Sequence, residues 1–352
     1  MLRSTRQAGM DTLNEIYQTF LGSWTLRIAP LYIVTTLVIG AVLYRYRERG
    51  AGISGFLGWL FPKNIYLHAS HLNDIKIFLF GRLLAFFGIL NMLVVSPLTV
   101  IAVVEGLNGI DGSAADKSAT TGIGQALAVT LIFVVVTDFC VYWVHRLHHE
   151  WPVIWPFHAV HHSAEVMTPI TVYRKHPVYD LISFFVKNVA IGLVTGLVLY
   201  AVFGKVTYLQ VGQANIFYVL FNLAGSNFRH SHIWISYGRV LEHVLISPAQ
   251  HQIHHSSAVP HHNKNYGEIF ALWDWMFGTL YVPERHEELT FGLADGDGNR
   301  IEQLHPSLRQ TLVQPVVASA REIRARLTRG RSGKTPAPLE TAGTIPREPA
   351  DP

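Results

Sequence analysis

Residues 137–163 read TDFCVYWVHRLHHEWPVIWPFHAVHHS, and their interpretation decides the fold. An apolar helical run leads directly into six histidines, at positions 145, 148, 149, 158, 161 and 162. Side chains three and four residues apart share a helix face. His145 with His149, and His158 with His161 and His162, therefore each present several imidazoles toward one point. Asp138 and Tyr142 fall on the face of His145 and His149, where they could orient ligands. A third cluster, His251, His254 and His255, comes much later in the chain. An isolated pair such as His68 and His71 reads as a solvated loop, whereas three clusters of this spacing read as metal claws.

Nine imidazoles exceed the four ligands of a tetrahedral zinc site, so two metal ions are the economical reading. Nitrogen-rich ligation with few carboxylates suits iron, copper or zinc, and composition does not choose among them. Soluble di-iron bundles pair two Glu-x-x-His motifs. Only Glu302 to His305 has that spacing here, and it stands without a partner. Bis-histidine haem would need ligands facing each other inside a bundle, not clusters at and beyond a helix end.

Outward from the histidines the chain is apolar. Of 352 residues, 49% are hydrophobic and 15% charged, against about 25% charged in ordinary soluble domains. Uncharged apolar runs cover Ile28 to Tyr44, Leu83 to Val104, Gly122 to Thr137, Val189 to Phe203 and Val206 to Asn227, close to the ~17–25 residues that a spanning helix needs. The N-terminal stretch, with Arg3, Arg6, Asp11 and Glu15, lacks the pattern of a cleaved signal peptide. Arg45, Arg47, Arg49, Lys63 and Lys76 follow the first run, whereas the loop from Glu105 to Thr121 holds Lys117 alone. The positive-inside rule then places the histidine clusters on the cytoplasmic side.

The expected fold is all-α, with multi-pass transmembrane helices and a cytoplasmic histidine-rich helical cap holding a dimetal site. Three parts are expected: N-terminal membrane helices over 1–121, a catalytic domain over 122–293 with a membrane hairpin at 181–227, and a cytoplasmic tail over 294–352. Residues Leu308 to Leu327 alternate apolar and basic side chains, as an amphipathic helix on the membrane face would. The polar stretch from Arg329 reads as disordered. The single cysteine, Cys140, excludes an internal disulfide. A net charge of +4 follows from basic loops and an Arg-rich tail, and no nucleic-acid module accompanies it.

At this point the sequence resembles the fatty acid hydroxylase or sterol desaturase family of membrane di-iron enzymes, over roughly Thr137 to Leu293. Asp138 through His149 resembles its first histidine box, Trp155 through Ser163 its second, and Ser247 through Ser256 its third. Tyr173-Arg-Lys-His176-Pro177 is similar to its His-Pro step, and Asn227-Phe-Arg-His230-Ser-His232 to its His-Ser-Asn element, with His232 where Asn is commoner. Asn265-Tyr-Gly267 and Trp273 through Thr279 match its ending.

The resemblance implies metal ligation by His145, His149, His158, His161, His162, His176, His230, His251, His254 and His255. His148 occupies a variable position, and His243, His261 and His262 have no firm counterpart. It also implies two iron ions, dioxygen, a lipid-like substrate from the bilayer, and hydroxylation or desaturation of a C–H bond. Electrons would come from an external ferredoxin- or cytochrome-type donor with its reductase, since the chain has no cytochrome b5-like His-Pro-Gly-Gly motif, dinucleotide fingerprint or iron–sulfur cysteine set. Tyr142, Phe157 and Tyr173 are candidates to line a substrate channel. The competing class is a membrane zinc protein, structural or hydrolytic. A metal transporter would place its ligands within several spans rather than beside them.

Overall fold

A computed structural model describes residues 26–48, 52–87, 102–103, 105–107, 109, 123–203, 221–223 and 225–331. Among these residues the chain is helical, and its only extended pairings are isolated bridges such as Leu245 with Phe270. The helices are α1 (Pro30–Arg47), α2 (Ile53–Leu60), α3 (Lys63–Tyr66), α4 (Ala69–Phe86), α5 (Ile123–Glu150), α6 (Trp155–His162), α7 (Pro177–Phe203), α8 (Gly238–Leu241), α9 (Pro248–His254), α10 (Leu272–Met276) and α11 (Leu308–Arg331).

Among the described residues, two stretches are long and apolar enough to cross a membrane, Thr130–Glu150 in α5 and Pro177–Val198 in α7. α7 starts at Pro177, where the missing N–H is one the helix leaves unpaired anyway, and Asp180 in its first turn suits the helix dipole. The two helices pack side by side through Phe133, Cys140 and Ile191. Their other faces expose Leu127, Leu131, Phe185, Leu193 and Leu197. The first apolar run forms α1, which ends in Arg45 and Arg47. The runs Leu83 to Val104 and Val206 to Asn227, the loop Glu105 to Thr121 and the stretch beyond Arg331 lie wholly or mostly outside the described residues.

The histidine clusters sit where α5 and α7 meet a body of short helices. α4 docks on this body by its first turns, burying Ser70, His71, Asn73 and Asp74. The expectation of a solvated His71 is therefore corrected: its Nδ1 lies 2.9 Å from Thr168 Oγ1 in a buried contact. His68 caps α4, accepting from the Ser70 N–H at 3.2 Å. α11 packs on α6. Its buried face is Thr311, Pro315 and Ser319, spaced four apart, and the Ser319 hydroxyl donates to the Val153 carbonyl at 2.7 Å. Val313, Val316, Val317, Ile323 and Leu327 point outward.

Candidate metal centre

Two groups of imidazoles converge at this junction. Nitrogens of His145, His149, His158, His162 and His254 lie within 4.8 Å of one another, and so do those of His161, His230, His251 and His255. Helical spacing explains how each motif divides. On α6, His158 and His162 are one turn apart and feed the first group, while His161 turns to the second. On α9 the split reverses, with His254 in the first group and His251 and His255 in the second. The groups are adjacent, because the rings of His162 and His255 stack at 4.5 Å.

Inside each group the nitrogens approach end to end. His158 Nε2 lies 3.1 Å from His145 Nε2 and 3.2 Å from His162 Nε2. His230 Nε2 lies 3.2 Å from His161 Nε2 and 3.1 Å from His251 Nε2. Two nitrogens each ~2.1 Å from a shared ion and at right angles to it are about 3.0 Å apart. The Nε2 atoms of His149, His254 and His255 are buried without any hydrogen-bond partner, although buried polar atoms are normally paired. Close-set nitrogens with orphaned lone pairs fit a pair of metal ions. Among the described residues neither group includes a carboxylate.

Burial comes first among the causes that hold the imidazoles of His158, His161, His162, His230, His251 and His255 well below their ordinary pKa, with charge repulsion from neighbours added. Burial likewise brings His254 down to about 4. These groups are neutral at pH 7, as metal ligands must be.

The backbone fixes which nitrogen faces inward. His145 Nδ1 donates to the Tyr266 carbonyl and His254 Nδ1 to the Lys264 carbonyl, both at 2.8 Å. Each bond leaves the Nε2 lone pair for a metal. The segment supplying these carbonyls turns sharply, with Asn263 and Asn265 at φ 59° and 57°, a left-handed conformation that Asn tolerates better than most residues. Asn265 donates to the Gln250 carbonyl at 3.2 Å and accepts from the Tyr281 N–H at 2.8 Å. Asp274 accepts from the N–H groups of Tyr266 and Gly267, each at 2.8 Å, and from the Thr279 hydroxyl at 2.6 Å. Gly267 is required, since a Cβ there would lie 2.5 Å from the Phe270 carbonyl oxygen.

Asp138 and Tyr142 act one step further out than their helix face suggested. Asp138 accepts from the N–H groups of Ile269 and Phe270 and from the Trp273 indole, at 2.8–2.9 Å. The Tyr142 hydroxyl meets Thr279 Oγ1 at 3.0 Å and accepts from Arg146 at 3.1 Å. Both therefore hold the segment that holds the histidines, rather than a histidine itself.

His176 stands apart from both groups. Its Nε2 donates to the Leu312 carbonyl of α11 at 3.0 Å, its Nδ1 accepts from the Val178 N–H at 3.1 Å, and its ring packs on Phe157. His148 Nδ1 donates to the Val144 carbonyl at 2.7 Å and His232 Nε2 to the Trp59 carbonyl at 2.8 Å. His243 donates to the Arg239 carbonyl, His262 to the Ser257 carbonyl, and His261 pairs with Glu287 at 3.0 Å. Of the three aromatics named for a channel, Tyr142 is buried against Phe277, Phe157 packs on His176, and Tyr173 packs on Phe78.

Sequence reading missed Arg174. Its Nε donates to the Val160 carbonyl at 2.8 Å, between the histidines of α6, and its Nη2 donates to Ser163 Oγ at 3.0 Å and to the His305 carbonyl at 3.1 Å. Its Nη1 pairs with Asp74 at 2.7 Å. No local pattern announces this residue, because its partners come from three separate parts of the chain.

The fatty acid hydroxylase family model matches residues 130–279. Ornithine lipid hydroxylase OlsE of Rhizobium tropici is 30% identical over 159 residues, which are 45% of this chain and 44% of the relative. Human (Homo sapiens) alkylglycerol monooxygenase is 30% identical over 156 residues, 44% of this chain and 31% of the relative. Delta(7)-sterol 5(6)-desaturase ERG3B of Gibberella zeae is 32% identical over 186 residues, 49% of this chain and 51% of the relative. The chain thus spans about half, or less, of the length of these curated relatives. No solved structure matches it.

Proposed function

We propose that this chain, which belongs through residues 130–279 to the fatty acid hydroxylase family, is a membrane-bound di-iron oxygenase that hydroxylates or desaturates a C–H bond of a lipid-like substrate. The observation that carries the reading is the pair of adjacent all-histidine groups at the end of two apolar helices. Relatives named as lipid hydroxylase, alkylglycerol monooxygenase and sterol desaturase support it.

In this reading His145, His149, His158, His162 and His254 hold one iron, and His161, His230, His251 and His255 the other. His176 is left out, because both its ring nitrogens are engaged elsewhere. The irons, when bound, would supply activation of dioxygen, chemistry beyond any side chain, with electrons from an external ferredoxin- or cytochrome-type donor. The chain's own residues do the positioning. The carbonyls of Tyr266 and Lys264 set the direction of two ligands, Asp274 and Asp138 hold the segment that supplies them, and burial keeps the imidazoles neutral and water away.

Residues 122–293 are the proposed catalytic domain, preceded by membrane helices over 1–121 and followed by a tail over 294–352. α5 and α7 would cross the bilayer as part of a multi-pass array, with the histidines on the cytoplasmic side, where positive charge concentrates. α11 would lie along the membrane surface, its outward stripe of Val313, Val316, Val317 and Ile323 against lipid.

The test is metal analysis with Mössbauer spectroscopy on anaerobically purified protein, followed by oxygen-dependent turnover with a chemical reductant. About two irons per chain and consumption of dioxygen with lipid are expected. Two stably bound zinc ions, with no iron uptake and no turnover, would sink the oxygenase reading in favour of a zinc protein.

A further inference from the structure

Val240, Leu241, Val244, Trp275 and Met276 are large apolar side chains left open on the body of short helices, Val240 being 82% and Met276 67% exposed. They come from two segments that lie side by side. The Ala271 N–H donates to the Val244 carbonyl at 2.9 Å, Leu245 bridges to Phe270, and the His243 ring lies 5.6 Å from that of Trp275. α8 and α10 therefore form one lobe with an apolar outer face. Single exposed apolar side chains need no explanation, but a contiguous patch marks a contact surface.

The depth of the lobe says what that surface touches. α10 packs along α5, with the Trp273 ring 5.1 Å from Phe139 and the Phe277 ring 4.9 Å from Trp143. Asp138 of α5 fastens the same lobe, since its carboxylate accepts from the Ile269 and Phe270 N–H groups and from the Trp273 indole. Asp138 precedes His145 by seven residues, about 10 Å along the helix axis, and lies inside the apolar stretch Thr130–Glu150. A carboxylate within a span is costly unless its partners sit at the same depth. Backbone N–H groups in hydrocarbon have no water to bond and must be met by protein, as Asp138 meets these two. Charge on the lobe is placed accordingly. In residues 238–244 and 271–277, Glu242 and Asp274 are fully buried and Arg239 alone among charged side chains faces outward, next to Val240.

We infer that the lobe of α8 and α10 inserts into the bilayer leaflet on the histidine side, with its five apolar side chains among the lipid tails and Arg239 reaching to the headgroups. The indole of Trp275 suits that boundary. The inference rests on the reading of α5 as a membrane span and adds to it a second contact that enters the bilayer without crossing it. Residues 264–266, whose carbonyls direct His145 and His254, run straight into this lobe. The bilayer thus steadies the segment that aims two of the histidines, as well as the helices that carry them.

The experiment measures depth and needs no turnover. The full chain is reconstituted in phosphatidylcholine nanodiscs as Val240→Cys, Met276→Cys, Leu193→Cys or Asp297→Cys in a Cys140→Ala background, each labelled with the fluorophore NBD. Leu193 is exposed on α7 inside its apolar stretch and serves as the lipid reference, and Asp297, exposed in a polar turn, as the water reference. Labels at 240 and 276 should lose quenching by aqueous iodide and be quenched by doxyl-labelled lipid as the label at 193 is, with the reverse at 297. Iodide quenching at 240 or 276 equal to that at 297 overturns the inference, and so does protection from both quenchers, which would mean that protein covers the lobe. Unlabelled protein gives a second measurement. The emission that Trp275→Phe removes should be emission that brominated phosphatidylcholine quenches, and unquenched emission there would also overturn the inference. If the label at 193 meets iodide and not doxyl lipid, the membrane reading itself fails. Water at 240 and 276 with lipid at 193 overturns the lobe assignment alone.

Discussion

The guanidinium of Arg174 and the carboxylate of Asp74 lie 2.7 Å apart, and neither side chain has any exposed surface. The pair ties α4 to the C-terminal end of α6, because the same guanidinium bonds the Val160 carbonyl, Ser163 and the His305 carbonyl. Removing one partner of such a pair leaves an uncompensated charge in the interior. Asp74→Ala should therefore cost ~3–5 kcal/mol, visible as a large fall in Tm. A Tm unchanged within a degree or two would show that the pair contributes little.

Gly267→Ala tests the backbone support of the proposed metal centre. The added methyl would meet the Phe270 carbonyl oxygen at 2.5 Å and Asp274 Oδ2 at 2.9 Å, so the segment holding His145 must shift. Loss of such outer support typically lowers metal affinity about 10–100-fold. Competition with a chelator measures it, and wild-type affinity in the variant would show that the Tyr266 carbonyl does not set the ligand.

His254 and His255 are neighbours in sequence that serve different groups. His254→Ala and His255→Ala should each leave about one iron per chain, with different Mössbauer parameters for the ion that remains. His176→Ala should keep both irons, since its nitrogens bond Leu312 and Val178. Identical spectra for the first two variants would mean that the division into two groups is wrong.

The metal-free protein should lose stability in mild acid. Burial holds His254 at about 4 in the folded chain, against about 6.5 when unfolded. Between these values the unfolded chain binds a proton that the folded chain refuses, so stability falls as pH drops from 6.5 to 4 and levels off below. This residue alone would account for ~3 kcal/mol of the loss. Urea unfolding of iron-stripped protein at a series of pH values measures it, and a midpoint that does not move from pH 7 to 5 would contradict the burial of a neutral cluster.

The local code was legible where a single helix turn settles the outcome. The spacings His145 to His149, His158 to His162 and His251 to His255 each bring two imidazoles to one face, and the apolar runs before them gave α5 and α7. The tail helix was legible too, but its packing was not. Its periodicity marks an outward apolar stripe, while the face that docks on α6 is made of Thr311, Pro315 and Ser319, residues with no hydrophobic signal.

By itself the sequence determined that clustered histidines lie at the end of apolar helices, because helical periodicity and hydrophobicity act over a few neighbouring residues. Only the tertiary structure decided which histidine joins which group. His161 and His162 are adjacent in the chain yet join different groups, since the direction of an imidazole depends on how α6 and α9 pack and on carbonyls supplied from residues 264–266. The same holds for Arg174, whose partners at 74, 160, 163 and 305 meet only when the chain is folded. A buried charge must find every partner it needs, and no stretch of sequence carries all of them.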